Sequence, residues 1–354
     1  MKTIYITSTE DFGGKTCLAI GLGQHLQRDG YAVGYMKPLS TSTLQVEGES
    51  VDRDAGFVRQ QLALEEPLAD IIPITLTPSL LQDAIQAAQS GRFQTTFQGA
   101  YERVARGKEI LLLEGGRHPF EGASLNLASP QIAERLDARV LTVVKYSDNL
   151  SIDRAASLRT IYGDRLLGIV VNAVPRPHMR LVQETGRPFL EQIGLPVLAV
   201  LPQERLLLAI SVQELIDYLG GEVLCCPDQT GGLVEYMMVG AMRARSAISY
   251  FRRRPNKAVI TGGDRPNIQL TALETSTRCL ILTGNQRPSA EVMNRAQELD
   301  VPIVLVKQDT LTTVRSVDQI FGKTSLHQPK KCARFFGILQ ERFDFARLYD
   351  MMNR

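Results

Sequence analysis

Ser8-Thr9-Glu10-Asp11-Phe12-Gly13-Gly14-Lys15-Thr16 joins an apolar run, Thr3–Thr7, to a stretch, Lys15–Arg28, in which Leu18, Leu22 and Leu26 recur every fourth residue. The run reads as a buried strand, and the recurrence as the buried face of a helix. At such a turn the first free N–H groups of the helix point outward, and the helix dipole makes that end attract anions. The glycine pair lets the backbone approach closely. Lys15 adds a full positive charge and Thr16 a hydroxyl. The usual loop of this kind opens with glycine, whereas this one opens with Ser8.

The surrounding sequence repeats the same alternation. Apolar, β-branched runs at Ala32–Met36, Glu109–Leu113, Val140–Val144, Gly168–Val171 and Pro196–Leu201 alternate with amphipathic stretches. Several are apolar throughout, as expected of parallel strands covered on both faces. The pattern predicts an α/β fold with a parallel, doubly wound sheet. Ser211-Val212-Gln213-Glu214 fits a capping box that opens a helix to about Leu219, halted by Gly220-Gly221. It begins a second, smaller α/β unit with strands at Glu222–Cys226, Lys257–Thr261, Arg278–Thr283 and Val301–Val306. Helices are expected there at Leu233–Phe251, Pro266–Glu274 and Ser289–Leu299. A chain of 354 residues suits two domains. We expect residues 1–206 and 207–329 as domains, with an aromatic closing strand and helix, 330–354, packed on the second.

Composition excludes several classes. The 40 basic and 38 acidic residues leave a net charge of +2, which gives no argument for a nucleic-acid or membrane-surface partner. The start reads as a strand rather than a secretory leader, and no apolar stretch is long enough to span a bilayer. Five cysteines without a C-x-x-C pair, and four scattered histidines, indicate neither a disulfide framework nor a zinc site. A cytoplasmic setting is expected. Adjacent Cys225 and Cys226 read as a buried, inert pair. Arg252-Arg253-Arg254 reads as a charged helix end before it reads as an anion site.

Chemistry concentrates in the first domain. In a phosphate loop, Lys15 would reach the β and γ oxygens of ATP and the Thr16 hydroxyl would bind Mg²⁺. Lys37, after the second strand, would neutralise phosphates or a carboxylate, or stand solvated. Asp52 and Asp54 open a helical stretch, where an aspartate caps the helix or serves a metal. Glu114 ends an apolar strand, the ligand edge of a parallel sheet. Asp54 and Glu114 would supply the carboxylates that Mg²⁺ takes beside water and phosphate oxygens. Asn172 would contact an adenine edge or close a turn.

Ser8–Thr16, Lys37-Pro38, Asp54, Glu114-Gly115-Gly116 and Asn172 follow the order and spacing of dethiobiotin synthetase. Residues 1–205 more closely resemble the dethiobiotin-synthetase-like region that begins long-form phosphate acetyltransferases, for which a Ser-Thr-Glu opening is typical. The second half resembles the DRTGG domain, whose name-giving motif here reads Asp228-Gln229-Thr230-Gly231-Gly232, with Gln229 in place of arginine. The resemblance implies a nucleotide-binding set of Thr9, Glu10, Gly13, Gly14, Lys15, Thr16, Cys17 and Asn172. Thr16, Asp54 and Glu114 would hold the metal, and Lys37 would be catalytic if the protein is an enzyme.

The resemblance implies a regulatory protein that binds ATP and Mg²⁺ and acts through its DRTGG-like domain, the acetyl-transfer domain being absent before Arg354. The alternative is an ATP-dependent enzyme that activates a carboxylate or hydrolyses ATP, as in the dethiobiotin synthetase and cobyrinic acid a,c-diamide synthase class. A second small-molecule effector is expected at Thr261–Arg265 and Thr283–Arg287. A homo-oligomer is expected by resemblance alone.

Overall fold

The structure is a computed structural model that describes residues 1–41, 44–46, 49–86, 90–321 and 328–353. His327, one of the scattered histidines, and parts of the polar loop 40–50 lie outside the described residues. The chain divides into two compact units near residues 203 and 204.

The first unit holds a six-stranded parallel sheet. Its strands are β1 (Lys2–Ser8), β2 (Val33–Met36), β3 (Ile110–Glu114), β4 (Arg139–Lys145), β5 (Leu166–Val174) and β6 (Val197–Pro202), in the order β2-β3-β1-β4-β5-β6. Six of the seven residues of β1 and all of β2 and β3 are buried, as expected of parallel strands covered on both faces. The chain leaves β1 for β2 on one side and later enters β4 on the other. The order therefore reverses around β1, and ligands of such sheets bind in the crevice at that reversal. Register places Glu114 beside Ile6, two residues before the loop opens at Ser8.

Helix α1 (Lys15–Arg28) begins with the expected bounds and buries Leu18, Leu22 and Leu26. Helix α2 (Arg53–Gln61) follows a short antiparallel pair, Leu44–Val46 with Glu49–Val51. The tail corrects one expectation. Residues 329–352 form two helices and no strand, α3 (Pro329–Arg342) and α4 (Phe345–Met352), and they pack on the first unit. The cause lies in α1. A Cβ on Gly21 would lie 2.7 Å from Leu339 and 3.5 Å from Phe335, so the glycine admits α3 against the helix backbone. Around that contact Arg28 covers the Phe336 ring, His25 stacks on Phe345, and Tyr349 donates to Asp29.

The second unit holds a mixed sheet. Its strands are β7 (Glu222–Cys225), β8 (Tyr236–Val239), β9 (Lys257–Gly262), β10 (Thr277–Thr283) and β11 (Ile303–Leu305), in the order β7-β11-β10-β9-β8. Only β7 runs antiparallel to its neighbour. The expected helix Leu233–Phe251 is a second correction. Residues 236–239 pair in parallel with Lys257–Ile260, and only Ala244–Phe251 is helical. Gly240 follows the strand where a Cβ would lie 2.6 Å from Ile268, so the glycine admits that side chain. Ser211 caps helix Val212–Leu219 as expected, accepting from Glu214 N–H while the Glu214 carboxylate accepts from Ser211 N–H.

Candidate functional site

The loop leaves β1 buried and folds back on its own lysine. Lys15 Nζ donates to Ser8 Oγ at 2.8 Å, and Ser8 Oγ donates to the Glu10 carbonyl at 2.7 Å. Ser8 thus gives Lys15 a hydroxyl partner that the glycine of the usual loop would not supply. No carboxylate pairs with this ammonium among the described residues. Burial, the largest influence, pulls the Lys15 pKa below that of an ordinary lysine, and nearby Glu114 and Asp11 only partly oppose it. A buried cation held only by a hydroxyl remains short of negative charge.

Gly14 caps α1 in a left-handed conformation, φ 102°, which favours glycine. A Cβ there would also lie 2.6 Å from Asn172 Nδ2. Asn172 closes the loop from β5, donating to the Gly13 carbonyl at 2.8 Å while its Oδ1 accepts from Ala173 N–H. Both ends of the Asn172 amide therefore serve the loop and its own turn. Thr9 Oγ1 is buried with no hydrogen-bond partner in the loop, and the Glu10 carboxylate meets Arg154. Burial pushes the Cys17 thiol well above its ordinary pKa, so it stays a neutral thiol.

Glu114 is the acidic centre. Its Oε1 accepts from Thr16 Oγ1 at 2.7 Å and its Oε2 from the Tyr35 hydroxyl at 2.8 Å. Burial raises its pKa most; Lys37 and Lys15 oppose that shift, and Asp54 adds to it. Lys37 pairs with Asp52 at 2.7 Å, with both side chains buried. Burial lowers the Lys37 pKa, but Glu114 and Asp52 outweigh it, and the net shift is upward. Asp52 also accepts from Ala55 N–H, so it is the cap of α2 as well as the lysine's partner. Asp54 lies one turn-position inside α2, and its charge acts on both Glu114 and Lys37.

The structure therefore brings together Lys15, Thr16, Lys37, Asp54 and Glu114. Sequence reasoning missed three contributors: Tyr35, Asp52 as the partner of Lys37, and Arg154. A strand tyrosine and a surface-type arginine carry no local signal of such roles. The oxygen donors suit Mg²⁺: a hydroxyl and carboxylates, hard ligands that leave positions for phosphate and water. No group of three or more His, Cys, Asp or Glu side chains able to hold a metal stands among the described residues. A cavity of about 700 Å³ lies at the opposite, amino ends of β1 and β4. Its three cations already have partners: Lys2 donates to Asn353, Arg139 to the Asp164 carbonyl and Arg165 to Asp137.

Residues 2–211, more than half of the chain, match the AAA domain family. The chain belongs to that family. In this AAA domain the loop Ser8–Thr16 stands between β1 and α1, and residues 214–320 match the DRTGG domain. The phosphate acetyltransferase of Nitratidesulfovibrio vulgaris is 22% identical over 371 residues, covering 98% of this chain and 51% of that protein. The chain spans about half the length of the phosphate acetyltransferases it matches. The ATP-dependent dethiobiotin synthetase of Mycobacterium avium is 30% identical over 208 residues, covering 57% of this chain and 87% of that protein. A solved structure of the CBS and DRTGG domains of Clostridium perfringens pyrophosphatase has 18% identity and a TM-score of 0.30, covering 42% of this chain and 73% of that one.

In the DRTGG domain, the turn Asp228–Gly232 accepts from the first helical N–H groups: Val212 donates to the Gly232 carbonyl and Gln213 to the Thr230 carbonyl. Gln229 is exposed and takes no part in these bonds. The stretches 261–265 and 283–287 do lie at the carboxyl ends of β9 and β10. However, Arg265 donates to the carbonyls of Gly240 and Met242. Among the described residues, no helix is long and apolar enough to cross a membrane.

Proposed function

We propose that this protein is an ATP-responsive regulatory module: the AAA domain binds ATP with Mg²⁺, and the DRTGG domain passes the state of that site to a partner or to a second copy. The observation that carries the reading is Lys15, a buried ammonium whose hydrogen-bond partner is a hydroxyl. A phosphate oxygen would supply the missing negative charge. Thr16 and Glu114, already joined by a hydrogen bond, would share the Mg²⁺, with Asp54 beside them. Lys37 would offset the charge gathered on Glu114. Dependence of regulation on ATP requires the nucleotide to favour one state of the protein over another.

A second reading, a phosphoryl-transfer enzyme, draws on the burial of Lys37 with Asp52 beside Glu114 and on the dethiobiotin synthetase relatives. Such chemistry relies on positioning and charge neutralisation, which these groups would supply. Thermal unfolding with and without Mg²⁺-ATP, with released phosphate followed in the same samples, tests both. ATP at about 100 times its Kd stabilises the fold by about 2.7 kcal/mol if it binds the native state alone. Stabilisation without phosphate release supports the regulatory reading, and steady release supports the enzyme. No stabilisation by any nucleotide overturns both.

A further inference from the structure

The phosphate loop carries two carboxylates, Glu10 and Asp11, where an anion is expected to bind. Each faces an arginine from outside the loop. Asp11 Oδ2 stands 4.0 Å from Arg117 Nε, a loose pair in which both side chains are about half exposed. Glu10 Oε1 stands 2.8 Å from Arg154 Nη2, a direct ion pair. Arg154 lies on helix Leu150–Tyr162, which follows β4, the strand paired with β1 on the side away from Glu114. Its Nη2 also donates to Ser147 Oγ and Ser151 Oγ, both at 3.1 Å. Its Nε is buried and has no acceptor.

Three properties of this arrangement matter. The Nη2 that meets Glu10 is shared with two neighbouring hydroxyls, Ser147 and Ser151, which remain as partners when the carboxylate leaves. The Glu10 pair is partly exposed, with side-chain exposures of 41% and 33%, and pairs of that kind stabilise little and exchange readily. A terminal phosphate carries more charge than a carboxylate and matches the planar donor fork of arginine.

We propose that Arg154 is a terminal-phosphate contact of this loop. In the nucleotide-free protein, Glu10 stands in for the phosphate on the guanidinium, and a bound triphosphate takes that place. The proposal rests on the nucleotide-binding reading above and adds the residue that separates ATP from ADP. It also accounts for a carboxylate in an anion-binding loop: Glu10 competes with the terminal phosphate, so nucleotides lacking that phosphate leave the pair intact.

Calorimetric titration of the full chain with Mg²⁺-ATP and Mg²⁺-ADP tests this in the wild type, Arg154→Ala, Glu10→Gln and the double variant. We expect Arg154→Ala to weaken ATP about tenfold or more, the worth of a charge-assisted contact, and to leave ADP unchanged. Glu10→Gln tightens ATP several-fold, and the gain disappears when Arg154 is also replaced. An equal effect of Arg154→Ala on ATP and ADP, or none on either, overturns the proposal while the loop reading stands. A Glu10→Gln gain that survives without Arg154 overturns the stand-in role. A wild type that binds neither nucleotide overturns the underlying reading and this proposal with it.

Discussion

The two domains place similar strands, turns and helices at the carboxyl ends of parallel sheets, yet they equip those ends differently. In the AAA domain the edge gathers buried charge: Lys15, Lys37, Asp52 and Glu114 are all less than a tenth exposed. In the DRTGG domain the corresponding edge carries hydroxyls, glycines and amides, and its charged residues Asp264, Arg265 and Asp309 are exposed or half-buried. Thr283 and Thr310 bond to each other at 2.7 Å, and Gln269 donates to the carbonyls of Gly262 and Gly263. Its buried lysine, Lys257, sits at the start of β9, the far end of the strand, where Nζ donates to the Ser276 carbonyl. Burying charge costs stability unless it is paired, so an edge that keeps an ammonium on a hydroxyl alone is left short of negative charge. The second edge, whose charged side chains keep contact with solvent, lacks that demand.

The contrast can be broken from several directions, the largest effect coming first. Glu114→Gln removes the carboxylate that meets Thr16, and we expect Mg²⁺-ATP affinity to fall about tenfold or more, read by titration at fixed free Mg²⁺. Because burial raises the Glu114 pKa, its contribution to stability is fully present below about pH 4.3 and is lost as pH rises through the raised value. The glutamine variant does not titrate, so its unfolding free energy gains on the wild type's as pH rises through that range and levels off above it; curves that stay parallel through the range would contradict the assignment. No equivalent change in the DRTGG domain should alter Mg²⁺ dependence.

Leu339→Ala should cost the AAA domain about 2–5 kcal/mol, the usual range for an emptied core leucine, in denaturant unfolding. A loss confined to the DRTGG transition would contradict the packing of α3 on α1. Lys257 supplies a pH test of opposite sign. Burial pushes its pKa down to about 8, so its contribution to stability is full above the ordinary lysine value of about 10.4 and is lost as pH falls through 8. The DRTGG transition should therefore gain stability from pH 8 to 10, and Lys257→Met should flatten the gain. The smallest change is Ser8→Gly, which restores the usual loop opening and removes the hydroxyl from Lys15. We expect ATP affinity to shift by no more than several-fold, because the phosphate replaces that partner in the complex; a loss as large as that of Glu114→Gln would make Ser8 part of the binding set.

Much of this contrast was legible in the sequence. The glycine pair with Lys15-Thr16 between an apolar strand and a leucine-faced helix located the site, and Glu114 at the end of an all-apolar strand supplied its acid. The bounds of α1 and the capping box at Ser211 also read directly, because both depend on local side-chain patterns. What escaped depends on long-range packing. Nothing near Tyr35 or Arg154 in sequence signals that Tyr35 meets a carboxylate 79 residues away or that Arg154 meets the loop. The run Tyr236–Val239 suits helix or strand by composition, and the edge of β9 decides it. The aromatic tail showed that it would be buried but not where; Gly21, a small residue within the α1 pattern, was the available clue.

The central claim is that an uncompensated buried lysine makes the AAA domain an ATP site. Calorimetric titration of the full chain with Mg²⁺-ATP, beside Lys15→Ala, tests it most directly. Because burial holds the Lys15 pKa low, a bound phosphate should raise it, and proton uptake on binding should be largest at pH values between the free and the bound pKa. The account predicts saturable binding by the wild type with that proton uptake, and none by the variant. Equal binding by both proteins, or binding without proton uptake at any pH, would contradict it.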